Sequence, residues 1–282
     1  MALHKKKVLY ITTGVISLVI FAMVVALLFF IKPLKPQVEA AASNLLGMDV
    51  QVNGKMSIAL SPGFRVSLRD VHVRNGDSDI AIIEKMKVKL KLLPLMRCKA
   101  EITQAEIIKP VFSLIRSKEG TYNFEKPEHA RSEKSFAVKK ISISQGNLVY
   151  TDEQSGENIE VADFDLTLRN FLYDGTNSAE LFKNISFTGD NRCKTIKIKD
   201  VTLTDLVMKI KGENGIFDID PVSVNIFGGT GKGSVHVDMT GVVPDYRVIY
   251  ALNEFRIEEL LQAYSPENTT GNVMEGVTNL TA

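Results

Sequence analysis

The residues of this chain that could do chemistry are few, and their spacing argues against catalysis. Its four histidines are scattered. His4 lies beside Lys5-Lys6-Lys7, His72 alternates outward between Val71 and Val73, His129 sits in a polar stretch, and His236 stands between Val235 and Val237. No H-E-x-x-H or other metal-ligand spacing links them, and no G-x-S-x-G elbow offers a nucleophile. All four read as surface residues. No acidic motif singles out a catalytic acid and base, and neither a cofactor nor a metal is expected. Phe227-Gly228-Gly229-Thr230-Gly231-Lys232-Gly233-Ser234 resembles a phosphate loop only superficially. Gly233 stands where Ser or Thr must follow the lysine, Ile226 where the first glycine belongs, and the stretch joins two alternating strands instead of opening a helix. It reads as a flexible β-turn.

The lysine row Lys85, Lys87, Lys89 and Lys91 is the strongest charge pattern. It reads as a solvated strand face that guards against edge aggregation, with anionic headgroups as the other chemistry it could meet. Cys98 and Cys193 belong to no C-x-x-C pair and read as two unrelated buried thiols. A formal net charge of +1 excludes the basic excess of a nucleic-acid binder. With 45% apolar and 24% charged residues the chain can bury a core and is not disordered.

The elements that must position these residues begin with an uncharged apolar run, Val8 to Ile31. As a helix it would extend about 36 Å, enough to cross a hydrocarbon core of about 30 Å. It is longer than a secretory h-region and reads as a retained anchor. Lys5, Lys6 and Lys7 precede it, while only Lys32 and Lys35 follow closely, which points the amino terminus to the cytoplasm. In a bacterial cell the rest would then lie in the periplasm. After Pro33 and Pro36, the residues Val38, Ala41, Ala42, Leu45 and Leu46 share one helix face, and Gly47 stops it. A second short helix is expected at Ile257 to Tyr264.

Strands account for nearly everything else. Val50, Val52, Met56, Ile58 and Leu60 share one parity and predict a single long strand. It would turn at Pro62-Gly63-Phe64 and set Leu60 opposite Val66 and Ile58 opposite Leu68. The parity then slips to Val71 and Val73, predicting a bulge near Asp70. Met86, Val88, Leu90 and Leu92 alternate with the lysines until Pro94. Phe164, Leu166 and Leu168 form another set, as do Val222, Val224 and Ile226, and Val235, Val237 and Met239. Lys126 to Ser135 is polar and unpatterned, a linker. Ile141-Ser142-Ile143 with Leu148, and Ile196-Lys197-Ile198 with Leu203, echo each other and favour a quasi-linear β array.

Alternating strands carry an apolar face that something must cover. The two short helices are too few for ten or more strands. A second sheet, a curl of the sheet on itself, or a ligand in an apolar trough would each suffice. The sandwich is the commonest answer, and periodicity alone does not separate them.

A more specific likeness lies in the order of motifs. The anchor is followed by Leu45-Leu46-Gly47-Met48-Asp49-Val50, Gly54-Lys55 and Pro62-Gly63. Then come Leu68-Arg69-Asp70-Val71-His72-Val73-Arg74-Asn75, Leu92-Leu93-Pro94-Leu95, Ile107-Ile108-Lys109-Pro110 and Gly120-Thr121-Tyr122-Asn123-Phe124. This order resembles the amino-terminal module of the AsmA family over about residues 1–125. Gly215 to Ile219 with Phe227 to Gly233 looks like the start of that family's carboxy-terminal region, expected to be incomplete because the chain stops at Asn279-Leu280-Thr281-Ala282.

The resemblance implies a mainly β protein: an elongated, twisted antiparallel sheet curled into a groove. It further implies a cytoplasmic tail (1–7), a transmembrane anchor (8–31), an AsmA-type β module (32–125), a linker (126–135) and further groove repeats (136–282). It implies an inner-membrane protein of outer-membrane biogenesis that binds or conducts phospholipid without catalysis. The groove lining would be Val88, Leu90, Leu92, Phe164, Leu166, Leu168, Val222, Val224 and Ile226. The expected partners are phospholipid, the inner membrane and outer-membrane or periplasmic proteins, with no nucleic acid. The alternative is an assembly scaffold acting through exposed sheet edges.

Overall fold

Period-two alternation with β-branched and aromatic residues builds strands, and the strands join one sheet. A computed structural model of the chain describes residues 34–59, 63–91, 101–124, 135–174, 181–264 and 276–281. The strands are β1 (Asp49–Val52), β2 (Met56–Ala59), β3 (Phe64–Asn75), β4 (Ser78–Leu90), β5 (Ile102–Arg116), β6 (Phe136–Asp152) and β7 (Glu157–Tyr173). They continue as β8 (Ile185–Ile198), β9 (Val201–Glu213), β10 (Ile216–Ile226), β11 (Gly229–Asp238), β12 (Asp245–Arg256) and β13 (Val277–Thr281). All thirteen belong to one sheet in sequence order, with β1 and β2 sharing β3 as neighbour. No second sheet packs on it among the described residues, so the sandwich answer fails. The sheet is open and curled.

The pairing is antiparallel except at β5–β6, which run parallel from Gln104↔Lys140 to Arg116↔Asp152. That corrects the all-antiparallel expectation. A parallel pair needs a long return path, and the connection between Arg116 and Phe136 contains the polar stretch expected as a linker, of which 125–134 lie outside the described residues.

Helix α1 (Leu34–Leu46) ends at Gly47, whose φ of 68° suits the left-handed stop. Helix α2 (Ile257–Tyr264) falls where expected. No helix among the described residues is long and apolar enough to cross a membrane. The anchor expected over Val8–Ile31 lies outside them.

The first strand departs from expectation in two ways. It breaks at Asn53–Lys55 into β1 and β2, both held by β3, with the Asn53 and Gly54 amides donating to the carbonyls of Asp70 and Arg69. The β2–β3 register sets Ile58 opposite Val66, two residues from the predicted pairing, which leaves each side chain on its expected face. Asp70 has a φ of 53°, and the apolar parity slips there as predicted.

That slip recurs across the sheet. Lys109, Gln145, Asp163 and Asp205 also have positive φ, between 49° and 56°. The registers bring these positions side by side: Asp70 and Lys109 flank Glu84, Gln145 abuts Asp165, and Asp163 and Asp205 flank Lys194. The Lys109 ammonium reaches Glu84 at 3.2 Å, and the Gln145 amide donates to the Asp165 carboxylate at 3.0 Å. At each the apolar series changes parity, as from Ile143 to Leu148 and from Phe164 to Val161. Each left-handed residue keeps the apolar side chains on one face while bending its strand. Aligned, they crease the sheet along a line. The two echoed stretches are not equivalent repeats: Ile141-Ile143 lies mid-strand in β6, whereas Ile196-Ile198 ends β8.

Candidate functional site

One face of the sheet is apolar from strand to strand. Val88 lies opposite Ala105, and the row continues through Ile141, Leu168, Gly189, Ile210, Ile219, Val235 and Val248. The next row runs Leu68, Met86, Ile107, Ile143, Leu166, Asn191, Met208, Val222, Gly233 and Tyr250. Between these two rows, on the opposite face, stands a polar one: Ser67, Lys87, Glu106, Ser142, Thr167, Asp190 and Lys209. Phe164 is only 8% exposed although no sheet covers it, which marks the apolar side as the inner side of the curl.

The structure brings the expected lining together. Val88, Leu90, Phe164, Leu166, Leu168, Val222, Val224 and Ile226 share this inner face, and Leu92 lies outside the described residues. Phe164 and Val224 are buried; the others are half-buried. A closed core would bury nearly all such residues.

A cluster of buried apolar side chains sits at the amino-terminal end. Val50, Val52, Val66, Leu68, Val71 and Ile83 cluster there, and Val38 and Ala42 of α1 pack onto them. Glu39 and Ser43 accept hydrogen bonds from the Val52 and Val50 amides at 2.7 and 2.9 Å. Helix α1 thus covers both the end of the apolar face and the free edge of β1.

Two features of the inner face were missed by reading the sequence. Glycines lie opposite large rings: a Cβ on Gly146 would stand 2.6 Å from the Phe164 ring, and one on Gly231 would stand 1.8 Å from the Tyr250 hydroxyl. Gly229, Gly231 and Gly233 are therefore strand residues of β11, and the expected flexible turn shrinks to Phe227-Gly228. The glycines make room for rings that project from neighbouring strands. The second feature is an aromatic ladder along one rim. Phe136 and Phe171 stand 5.9 Å apart, Phe171 and Phe187 6.3 Å, and Phe187 and Phe217 6.3 Å, the last two rings meeting over Gly212.

Polar groups on this face are sparse. Burial pushes the Cys193 thiol up, and it is free and buried, as expected; Cys98 lies outside the described residues. Asn191 leaves its side-chain oxygen buried without a hydrogen-bond partner. Burial likewise raises the Tyr250 hydroxyl. Acyl chains could be shielded here; among the described residues no constellation for bond-making chemistry converges.

The conspicuous polar cluster sits at the rim and ties strands together. Arg116 pairs with the buried Asp152 at 3.1 Å and lies over the Tyr122 ring at 5.8 Å. Burial alone would raise the Asp152 carboxyl, but the Gln154 and Ser155 amides and the Arg116 guanidinium outweigh it and hold the group below the usual carboxylate range. The Asn123 amide donates to the Ser113 carbonyl at 2.8 Å and accepts from the Ile115 amide at 3.0 Å. Its own carbonyl receives the Asn75 amide at 3.0 Å. The Gly120–Phe124 motif is thus a latch closing the end of β5 onto the β3–β4 turn.

The two described histidines lie apart on the outer face, and both are half-buried, less exposed than expected. His72 pairs with Asp70 at 3.0 Å and His236 with Asp218 at 2.6 Å. His4 and His129 lie outside the described residues, among which no cluster able to hold a metal occurs.

The sequence profile of the AsmA family matches residues 4–181. No curated protein sequence and no solved structure matches the chain. The matched span includes the latch, the crease from Asp70 to Asp163 and the capped amino-terminal core, and by it the chain belongs to the AsmA family.

Proposed function

We propose that this protein is a single-pass inner-membrane protein with its amino terminus in the cytoplasm, whose periplasmic part binds or conducts phospholipid acyl chains along the inner face of the curled sheet. It does so as a non-enzymatic factor of outer-membrane biogenesis. The observation that carries this reading is the half-burial of most of the lining from β4 to β10, with no protein layer over it among the described residues. Each CH₂ moved from water onto such a face is worth about 0.8 kcal/mol. Headgroups would remain in water at the rims. The anchor at Val8–Ile31 and membership of the AsmA family support the location and the ligand class.

Residues 32–282, purified from cells without detergent, test this by native mass spectrometry with lipid extraction. Co-purifying phospholipid, lost in Leu166→Glu while the strand content is kept, is the expected result. A folded, lipid-free protein would sink the reading.

One observation favours the scaffold as second reading. Strand β13 pairs only with Ala251–Arg256, so among the described residues Asp245–Tyr250 of β12 have no strand on their far side. A partner strand could add there. Proline at Val248 would abolish that function and spare lipid loading.

A further inference from the structure

The lysine row acquires a meaning from its partners across the β3–β4 hairpin. On the outer face Arg65 lies directly opposite Lys89, and Arg69 directly opposite Lys85. Between them Ser67 faces Lys87. Directly opposed like charges destabilise a sheet, and this hairpin carries two such pairs in succession. Neutralisation from the next strand is partial. Glu106 takes Lys87 at 2.9 Å and Glu101 takes Lys91 at 2.6 Å, while Glu84 is engaged by Lys109 at 3.2 Å. Lys85 instead faces Ile108, and Lys89 faces Gln104. Arg65, Arg69, Lys85 and Lys89 have no carboxylate partner among the described residues.

A solvated face that merely discourages aggregation needs charges of one sign on one strand, and β3 is an interior strand with neighbours on both sides. Two facing rows of the same sign make instead a flat cationic plate. Its place in the chain selects the partner. Leu34 begins α1 three residues after Ile31 ends the apolar run, and α1 is 13 residues long. At 1.5 Å per residue the helix spans about 20 Å. Adjacent strands add about 4.8 Å each. The plate is therefore held within a few tens of ångströms of the bilayer from which the chain emerges.

We propose that the outer face of the β3–β4 hairpin docks on anionic lipid headgroups of the membrane in which the chain is anchored, with Arg65, Arg69, Lys85 and Lys89 as the contacts. This rests on the inner-membrane reading above but not on the groove. Docking would lay the covered end of the sheet against the bilayer and fix the azimuth at which the groove meets it.

The test uses the full chain in nanodiscs of phosphatidylethanolamine alone or with added phosphatidylglycerol. Amine-reactive footprinting reads Lys85 and Lys89 against the exposed Lys232 of β11. Each basic residue at an anionic surface is worth about a fivefold change in occupancy. The four contacts multiply, so Lys85 and Lys89 should react at least about fivefold more slowly in phosphatidylglycerol discs, with Lys232 unchanged. Arg65→Gln/Arg69→Gln should abolish that protection and raise thermal stability in detergent by removing the opposed charges. Equal rates in the two discs would overturn the proposal, as would protection by soluble polyphosphate but not by phosphatidylglycerol. A chain that enters neither disc would overturn it together with the anchor. Loss of groove-bound lipid in Leu166→Glu with the footprint intact would leave it standing.

Discussion

The two ends of this sheet solve the same problem in opposite ways. At the amino-terminal end, α1 lies over the apolar face and Val52 and Val71 are 2% and 1% exposed. The edge amides of β1 are taken by Glu39 and Ser43. At the carboxy-terminal end, Tyr246 is 61% and Val248 58% exposed, and glycines on β11 replace the side chains that would fill the face. Between the ends the lining grades into half-burial. The first region is held by protein packed on protein. Along the rest, among the described residues, strand pairing holds the sheet and no second sheet lies over the apolar face.

The comparison breaks most visibly with charge. Val71→Asp would bury a carboxylate with no partner and should cost upward of about 4 kcal/mol, enough to unfold the module. Val248→Asp, at 58% exposure, should stay within about 0.5 kcal/mol. Urea melts of the two variants, followed by circular dichroism, measure both. Equal costs would mean that the far end is covered after all.

Glycine substitutions sharpen the contrast at smaller magnitude. A Cβ on Gly54 would stand 2.5 Å from the Arg69 carbonyl oxygen, which is backbone and cannot step aside. The three atoms nearest a Cβ on Gly231 all belong to the Tyr250 side chain. Gly231→Ala should cost about 1–3 kcal/mol, and adding Tyr250→Ala should recover most of it. Gly54→Ala should cost more, with no side-chain change to rescue it. A double-mutant cycle on Gly231 and Tyr250 checks the coupling.

The smallest effect concerns pH. Asp152 is held below the ordinary carboxylate value in the folded state, so its contribution is fully present at neutral pH. It is lost as pH falls below about 4, through the depressed folded value. Amide exchange at the β5–β6 end should rise in that window, and Asp152→Asn should remove the pH dependence.

Much of this fold was legible because alternation is a local signal. The slip from Leu68 to Val71 announced a bulge, and the same slip between Ile143 and Leu148 carries the same information, although only the alignment of registers turns separate bulges into a crease. The shared face of Val88 and Leu90, of Phe164, Leu166 and Leu168, and of Val222, Val224 and Ile226 could be read from parity, since between bulges one residue of period two fixes the face of its neighbours. Other features depended on distant partners. The Gly-rich stretch of β11 looks like a turn until Tyr250 and Phe255 are known to occupy the space over it. The break at Asn53–Lys55 is hidden by the shared parity of Val50, Val52, Met56 and Ile58, because β3 pairs with both sides of it. The parallel β5–β6 join and the Phe136–Phe217 ladder leave no trace in spacing, because their members meet only across strands.

Photo-crosslinking in living cells tests the central claim most directly, because it reads the two faces separately. A photoreactive residue placed in turn at Leu166, Thr167, Leu168 and Arg169 samples both faces of β7. Phospholipid adducts at Leu166 and Leu168, with none at Thr167 and Arg169, are the predicted result. Adducts at neither parity, or equally at both, would contradict a lipid-holding inner face.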